Sequence, residues 1–205
     1  MAQRDTLWHL GNQTLYDLCQ ANFRHKDHKA IIAKTWLIGR AYSVALERRR
    51  NNDGIKNEQF YTQTLVNCFA NAKLDGQLSK LKTYKASDRD VLKHVLETHQ
   101  NLTLTLNKVT GLNKRSFSSK YLHFHLPDLF FIYDSRAVFA MKQLKELLPT
   151  ATQNTKGKFD KPYQQFTEQC VLLTKHISDD LGILLSPRQL DNLLLIIADR
   201  HLLGV

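Results

Sequence analysis

The chain of 205 residues has very few breaks, with only four prolines and eight glycines. Between them the apolar residues recur mostly at three- and four-residue spacing, the period of a helix that buries one side. Together these features predict an all-α protein. Leu7, Leu10, Leu15, Leu18 and Cys19 mark a first helix. Ile31, Ile32, Thr35, Trp36, Ile38, Gly39 and Tyr42 mark a second, running to about Arg48-Arg49-Arg50 and closed by the turn Asn51-Asn52-Asp53-Gly54. Within it Trp36 is expected in the core, and Gly39 permits close helix packing. Phe60, Leu65, Cys68 and Phe69 form a third helix, followed by a short basic one over Leu78 to Tyr84. Ser87 reads as an N-cap, with Asp90 in capping-box spacing, ahead of Val91, Leu92, Val95 and Leu96. That helix is taken on toward Leu106, although Leu102-Thr-Leu-Thr-Leu106 alternates with period two and leaves a strand as the alternative. Ser186-Pro187-Arg188-Gln189 is a second capping box. It opens a final helix, Leu190 to Leu203, that is apolar nearly all round and therefore expected to be buried.

A chain of this length, 42% hydrophobic, can bury one substantial core or two small lobes sharing a cleft. The expectation is a single helical domain over residues 1–205 with about nine helices. The one flexible loop expected is the Thr-, Asn-, Gly- and Lys-rich stretch from 149 to 161. Cys19, Cys68 and Cys170 are scattered, with no C-x-x-C spacing, and read as small buried hydrophobes rather than as disulfides or zinc ligands.

Lys and Arg number 29 against 19 Asp and Glu, a formal charge of +10. Such an excess favours a polyanionic partner. The longest apolar run, Leu193 to Ala198, is far too short to cross a bilayer, and Met1-Ala2-Gln3-Arg4-Asp5 has no apolar signal region. A cytoplasmic location, DNA as partner and no membrane association are therefore expected. Basic residues interleave with aromatics at Arg40-Ala-Tyr42 through Arg48-Arg49-Arg50, at Lys80 to Lys85, and at Lys114-Arg115 to Lys120-Tyr121. A solvated helix face accounts for any one such run; three of them point to a phosphate backbone.

One segment stands apart, Val109-Thr-Gly-Leu-Asn-Lys-Arg-Ser-Phe-Ser-Ser-Lys-Tyr-Leu-His-Phe-His-Leu-Pro-Asp-Leu-Phe-Phe-Ile-Tyr-Asp-Ser-Arg-Ala-Val138. Gly111 and Asn113 make a turn, Arg115 to His123 a helix, Leu126-Pro127-Asp128 a stop, and Phe130 to Tyr133 an extended approach to Asp134, which opens another helix. A glycine-centred turn between helices exposes backbone N–H groups to a phosphate, so Thr110, Gly111, Asn113 and Lys114 are candidate nucleic-acid contacts. Arg115, Lys120, Arg136 and Arg40 are basic candidates around them. Asp134, at a helix start, is either a simple cap or a carboxylate placed for chemistry. His123 and His125, two apart on a helix, do not share a face and have no acidic or cysteine partner at metal spacing, so no metal site is expected.

This segment resembles the helix-hairpin-helix DNA glycosylase superfamily, with the 8-oxoguanine glycosylase branch and its bacterial relatives nearest. Val109-Thr-Gly-Leu-Asn113 is similar to the hairpin turn, and Ile132-Tyr-Asp134-Ser-Arg136 to the aspartate segment. Trp36-Leu-Ile-Gly-Arg40-Ala-Tyr42 is similar to a stretch in the same relatives. The resemblance implies an orthogonal helical array, base excision repair, Asp134 as the catalytic acid, and a monovalent cation held by hairpin carbonyls. It also places Arg115 where members that form a Schiff base carry lysine. A guanidinium is no such nucleophile, and Lys120 lies on a different face of its helix from Arg115. Monofunctional base excision without lyase activity is the leading expectation. The alternative is a catalytically inactive nucleic-acid-binding module of a mobile-element or phage-defence system, and a weaker third is a helical protein-interaction domain.

Overall fold

The computed structural model describes residues 6–51, 54–84, 88, 90–144 and 155–203, with the side chains of 201–203 excepted. Every regular element among them is helical. Helix α1 (Leu7–Ala21) starts where the Thr6 hydroxyl accepts the His9 N–H, and it buries Leu15 and Cys19. Helix α2 (His28–Ala41) is capped by the Asp27 carboxylate. It stops at Ala41 rather than near Arg50. A Cβ on Gly39 would lie 3.1 Å from the Ala45 Cα, so the chain folds back tightly over this glycine. The Val44 N–H donates to the Gly39 carbonyl at 2.9 Å, and Ser43 takes a left-handed φ of 54°. The reversal drives Ala45 and Leu46 into the core and leaves the arginine run in a turn. Trp36 lies on the outward face of α2, 45% exposed, with the Arg40 guanidinium over its ring; it is not a core residue.

Helix α3 runs through Asn57–Gln59, a π-helical stretch Phe60–Leu65 and Val66–Ala70. Helix α4 covers Leu74–Leu81, earlier than the Leu78 to Tyr84 expected. Helix α5 (Val91–Thr110) has Asp90 itself at the N-cap position without a side-chain cap bond; Ser87, expected there, lies outside the described residues. The Thr-rich stretch is helical, because Leu102, Thr103, Leu106 and Thr110 fall on one buried side. Helix α6 (Arg115–His125), an extended segment to Asp134, helix α7 (Ser135–Gln143), helix α8 (Lys161–Leu181) and helix α9 (Pro187–Leu203) complete the fold. That makes nine helices among the described residues. Most of the expected 149–161 loop lies outside them.

The capping box before α9 is formed: the Ser186 N–H donates to Gln189 Oε1 at 2.8 Å, and the Gln189 N–H to Ser186 Oγ at 3.3 Å. Yet α9 is not buried all round. Leu190, Asp191, Leu194 and Ala198 face inward, while Ile196 is 52% exposed. The apolar outer positions hid this one-sidedness from a reading of periodicity.

Two hydrophobic cores result. The larger is built by α1 to α6, with Leu126 and Phe130, and the smaller by α7, α8 and α9. Cys19 and Cys170 are buried and Cys68 partly so, all as free thiols; burial pushes the Cys19 thiol up to about 12, as suits a small apolar filler. No helix among the described residues is long and apolar enough to cross a membrane.

Candidate functional site

The turn between α5 and α6 is a tight hairpin. Gly111 has φ 69°, the left-handed conformation that glycine adopts at low cost, and its N–H returns to the Asn107 carbonyl at 2.8 Å. The Thr110 side chain is turned inward: its hydroxyl donates to the Leu106 carbonyl at 2.8 Å and accepts the Leu112 N–H at 3.2 Å. Asn113 accepts from the Asn107 amide. The turn after α2 docks on this hairpin, because the Asn51 N–H donates to the Thr110 carbonyl at 3.2 Å and Lys114 Nζ to the Arg48 carbonyl at 2.7 Å. The Thr110 carbonyl is engaged by the Asn51 N–H, and the Leu112 carbonyl lies 3.2 Å from the Thr110 hydroxyl. A Cβ at Gly111 would fall 2.3 Å from Asn51 Nδ2. Gly111→Ala is therefore expected to cost about 1–2 kcal/mol, read as a lowered urea midpoint, and to loosen the Arg48 turn with it.

Between the two cores lies a cleft of about 200 Å³. Trp8, Tyr42, Lys120, Asp134, Arg136 and Asp191 are among the residues that line it. Asp134 caps α7: one carboxylate oxygen accepts the Arg136 N–H at 3.0 Å. The other accepts from Lys120 Nζ at 3.2 Å. Lys120 also donates to Ser116 Oγ at 2.8 Å and to the Tyr133 carbonyl at 3.0 Å, so its three N–H bonds have three acceptors. Its side chain is 1% exposed, against 29% for Asp134. Burial lowers the Lys120 pKa, opposed by the Asp134 carboxylate.

This placement corrects the expectation for the basic residues of α6. Arg115 does not turn to Asp134; its guanidinium holds the Asp160 carboxylate through both Nε and Nη2. Asp160 is itself the cap of α8, accepting the Tyr163 N–H at 3.0 Å. Lys120, on the other face of α6, is the lysine that meets Asp134. Arg136 lines the cleft and pairs with Asp199 of α9. Arg40 pairs with Glu47 at 2.5 Å and does not line the cleft, where Tyr42 stands instead. The structure thus gathers Lys120, Asp134 and Arg136 at the cleft, gathers Thr110, Gly111, Asn113 and Lys114 at the hairpin, and places Arg115 and Arg40 in ion pairs elsewhere.

Two residues of the cleft region escaped the sequence reading. Arg188 donates to Tyr16 Oη and to Tyr42 Oη, each at 3.0 Å, and to Asp191 Oδ2 at 3.1 Å. The Asp191 side chain is 5% exposed, and burial pushes its carboxyl up to about 6, against the pull of Arg188 and Lys120. Their signal was a pair of opposite charges three apart in the first turns of α9. The pair reaches the core: the Tyr16 hydroxyl donates to His123 Nε2 at 2.7 Å, and His123 Nδ1 donates to the Phe130 carbonyl at 2.8 Å.

His123 is therefore a buried structural side chain, and so is His125. The latter donates from Nδ1 to the Tyr121 carbonyl at 2.8 Å and accepts from Lys34 Nζ at 3.2 Å. His25 donates to Asp75 at 2.5 Å and accepts the Tyr121 hydroxyl at 2.7 Å. Among the described residues no three His, Cys, Asp or Glu side chains come together as a metal site. Comparison of the chain with protein-family models, with curated proteins and with solved structures finds no match.

Proposed function

We propose that this protein binds DNA on a helix-hairpin-helix glycosylase-like plan and hydrolyses the N-glycosidic bond of a base extruded into the cleft. The observation that carries this reading is the buried Lys120 ammonium bonded to Asp134 at 3.2 Å on the cleft wall, one helix away from a glycine hairpin. Enzymes that act on a base inside a duplex must take it out of the stack. A cleft of about 200 Å³ with a carboxylate at its side suits one flat ring and its sugar.

Asp134 is the acidic group. Its carboxylate stabilises the positive charge that builds on the sugar as the bond to the base lengthens, or takes a proton from the attacking water. Lys120 positions it. A lysine that attacks the sugar must be neutral and have open approach, whereas Lys120 is buried with all three N–H bonds engaged. The chemistry is then hydrolysis without a covalent sugar adduct. At the hairpin, the Gly111 and Leu112 N–H groups are bonded to the Asn107 carbonyl and the Thr110 hydroxyl, and the exposed Asn113 backbone is left to meet a phosphate.

The test is incubation with duplexes and single strands carrying normal, oxidised, alkylated or deaminated bases, in the presence of borohydride. The expected outcome is free base, an uncut strand and no trapped adduct. An adduct lost in Lys120→Met would make Lys120 a nucleophile. Salt-dependent binding with no base released from any substrate would favour the non-enzymatic nucleic-acid module, for which arginine in place of lysine at position 115 already speaks.

A further inference from the structure

Three consecutive arginines follow α2, and the fold uses them unequally. Arg50 is consumed internally: it donates to the Ile55 carbonyl and lies 4.7 Å over the Phe60 ring. Arg48 and Arg49 are exposed, and neither makes an ion pair among the described residues. The adjacent carboxylate, Glu47, is committed to Arg40 at 2.5 Å and to the Tyr61 hydroxyl at 2.6 Å.

These two charges stand on a firmly held turn. Lys114 Nζ grips the Arg48 carbonyl at 2.7 Å, the Asn51 N–H bonds the hairpin carbonyl of Thr110 at 3.2 Å, and Arg49 sits at φ 57°. The turn and the hairpin are thus one unit, joined from both sides. Burial lowers the Lys114 pKa; the Glu47 carboxylate opposes this and the Arg49 charge adds to it, so Arg49 stands close to the lysine that holds the turn. Positive charges gathered on one turn repel one another, and a bound anion relieves that repulsion.

We propose that Arg48 and Arg49 form a second phosphate clamp beside the hairpin, gripping the backbone of a DNA strand without reading its sequence. The clamp rests on the DNA-binding reading above and extends it: the hairpin supplies a surface for the strand, and the arginine turn supplies charge. Arg40, the more obvious basic candidate of this region, takes no part because Glu47 neutralises it.

The test is fluorescence anisotropy of a labelled random-sequence duplex titrated with protein over a series of KCl concentrations. Wild type is compared with Arg48→Ala/Arg49→Ala and with Lys29→Ala/Lys175→Ala, which removes the same charge from two other exposed positions. Each phosphate contact contributes roughly 0.9 to the slope of log K against log salt, so the arginine pair is expected to lower that slope by about 1.8 and the lysine pair to leave it unchanged. Equal slopes in the two double variants overturn the clamp while leaving DNA binding intact. Failure of the wild type to bind the duplex overturns both the clamp and the reading beneath it. A urea midpoint for each variant separates lost contacts from lost folding.

Discussion

Acidification from about pH 7 to about pH 5 is expected to destabilise this protein markedly. Four histidines, His25, His99, His123 and His125, are buried. Burial is the largest cause of each shift: the His25 and His99 pKa values fall to about 4, that of His123 to about 3, and that of His125 well below the ordinary 6.5. Between those folded values and 6.5 the unfolded chain binds more protons than the folded one, so stability rises with pH and is lost as pH falls below about 6.5. At about pH 5 the neutral burial of each histidine works against folding, each effect on the order of 1–2 kcal/mol, against the roughly 5–15 kcal/mol that holds a typical domain. Asp191 acts in the opposite sense, since its carboxyl is raised from 3.8 to about 6 and the folded form binds the extra proton between those values. One group does not offset four. Lys34, lowered to about 8, stays protonated through this window and adds no slope.

Urea midpoints measured across this range give the slope directly. His99→Phe keeps a ring against Tyr163, whose centroid lies 3.5 Å from that of His99, and is expected to reduce the slope by about one proton. A midpoint that does not move between about pH 7 and about pH 5 would show that these histidines are not held neutral by the fold.

The second large effect is expected at Lys120. Lys120→Met removes the ammonium and leaves the Asp134 carboxylate, Ser116 Oγ and the Tyr133 carbonyl without their shared donor. Breaking one side of a buried pair costs about 3–5 kcal/mol; Asp134 keeps 29% of its side chain in solvent, so about 2–4 kcal/mol is expected. Base release is expected to fall with it, because Asp134 loses one of its two restraints. Asp134→Asn combined with Lys120→Met should cost little more activity than Asp134→Asn alone, since the two act as a unit. Additive losses would separate their roles.

Helix existence was legible from the apolar period, and the caps of α7 and α9 from Asp134 and the Ser186 box, because those signals are local. What was hidden is tertiary. Nothing in the spacing says that Gly39 packs on Ala45, which ends α2 early and turns Arg48 to Asn51 onto the hairpin. At the site, the segment from Val109 to Val138 located hairpin and aspartate correctly as elements. The resemblance placed Arg115 where a Schiff-base lysine stands, whereas the face of α6 that the α7 cap approaches carries Lys120. Arg188 and Asp191 enter from a helix some fifty residues further along the chain, a distance that no local pattern spans.

The most direct measurement is base release by purified wild type and Asp134→Asn over the same panel of normal and damaged DNA. The asparagine keeps an oxygen to accept the Arg136 N–H, so the helix cap and the DNA affinity are expected to persist. Release from at least one substrate by wild type, reduced roughly 10²–10⁴-fold in Asp134→Asn, is the expected result. Release at an undiminished rate by the variant, or none by wild type from any base while DNA is bound, would contradict a glycosidic role for this cleft.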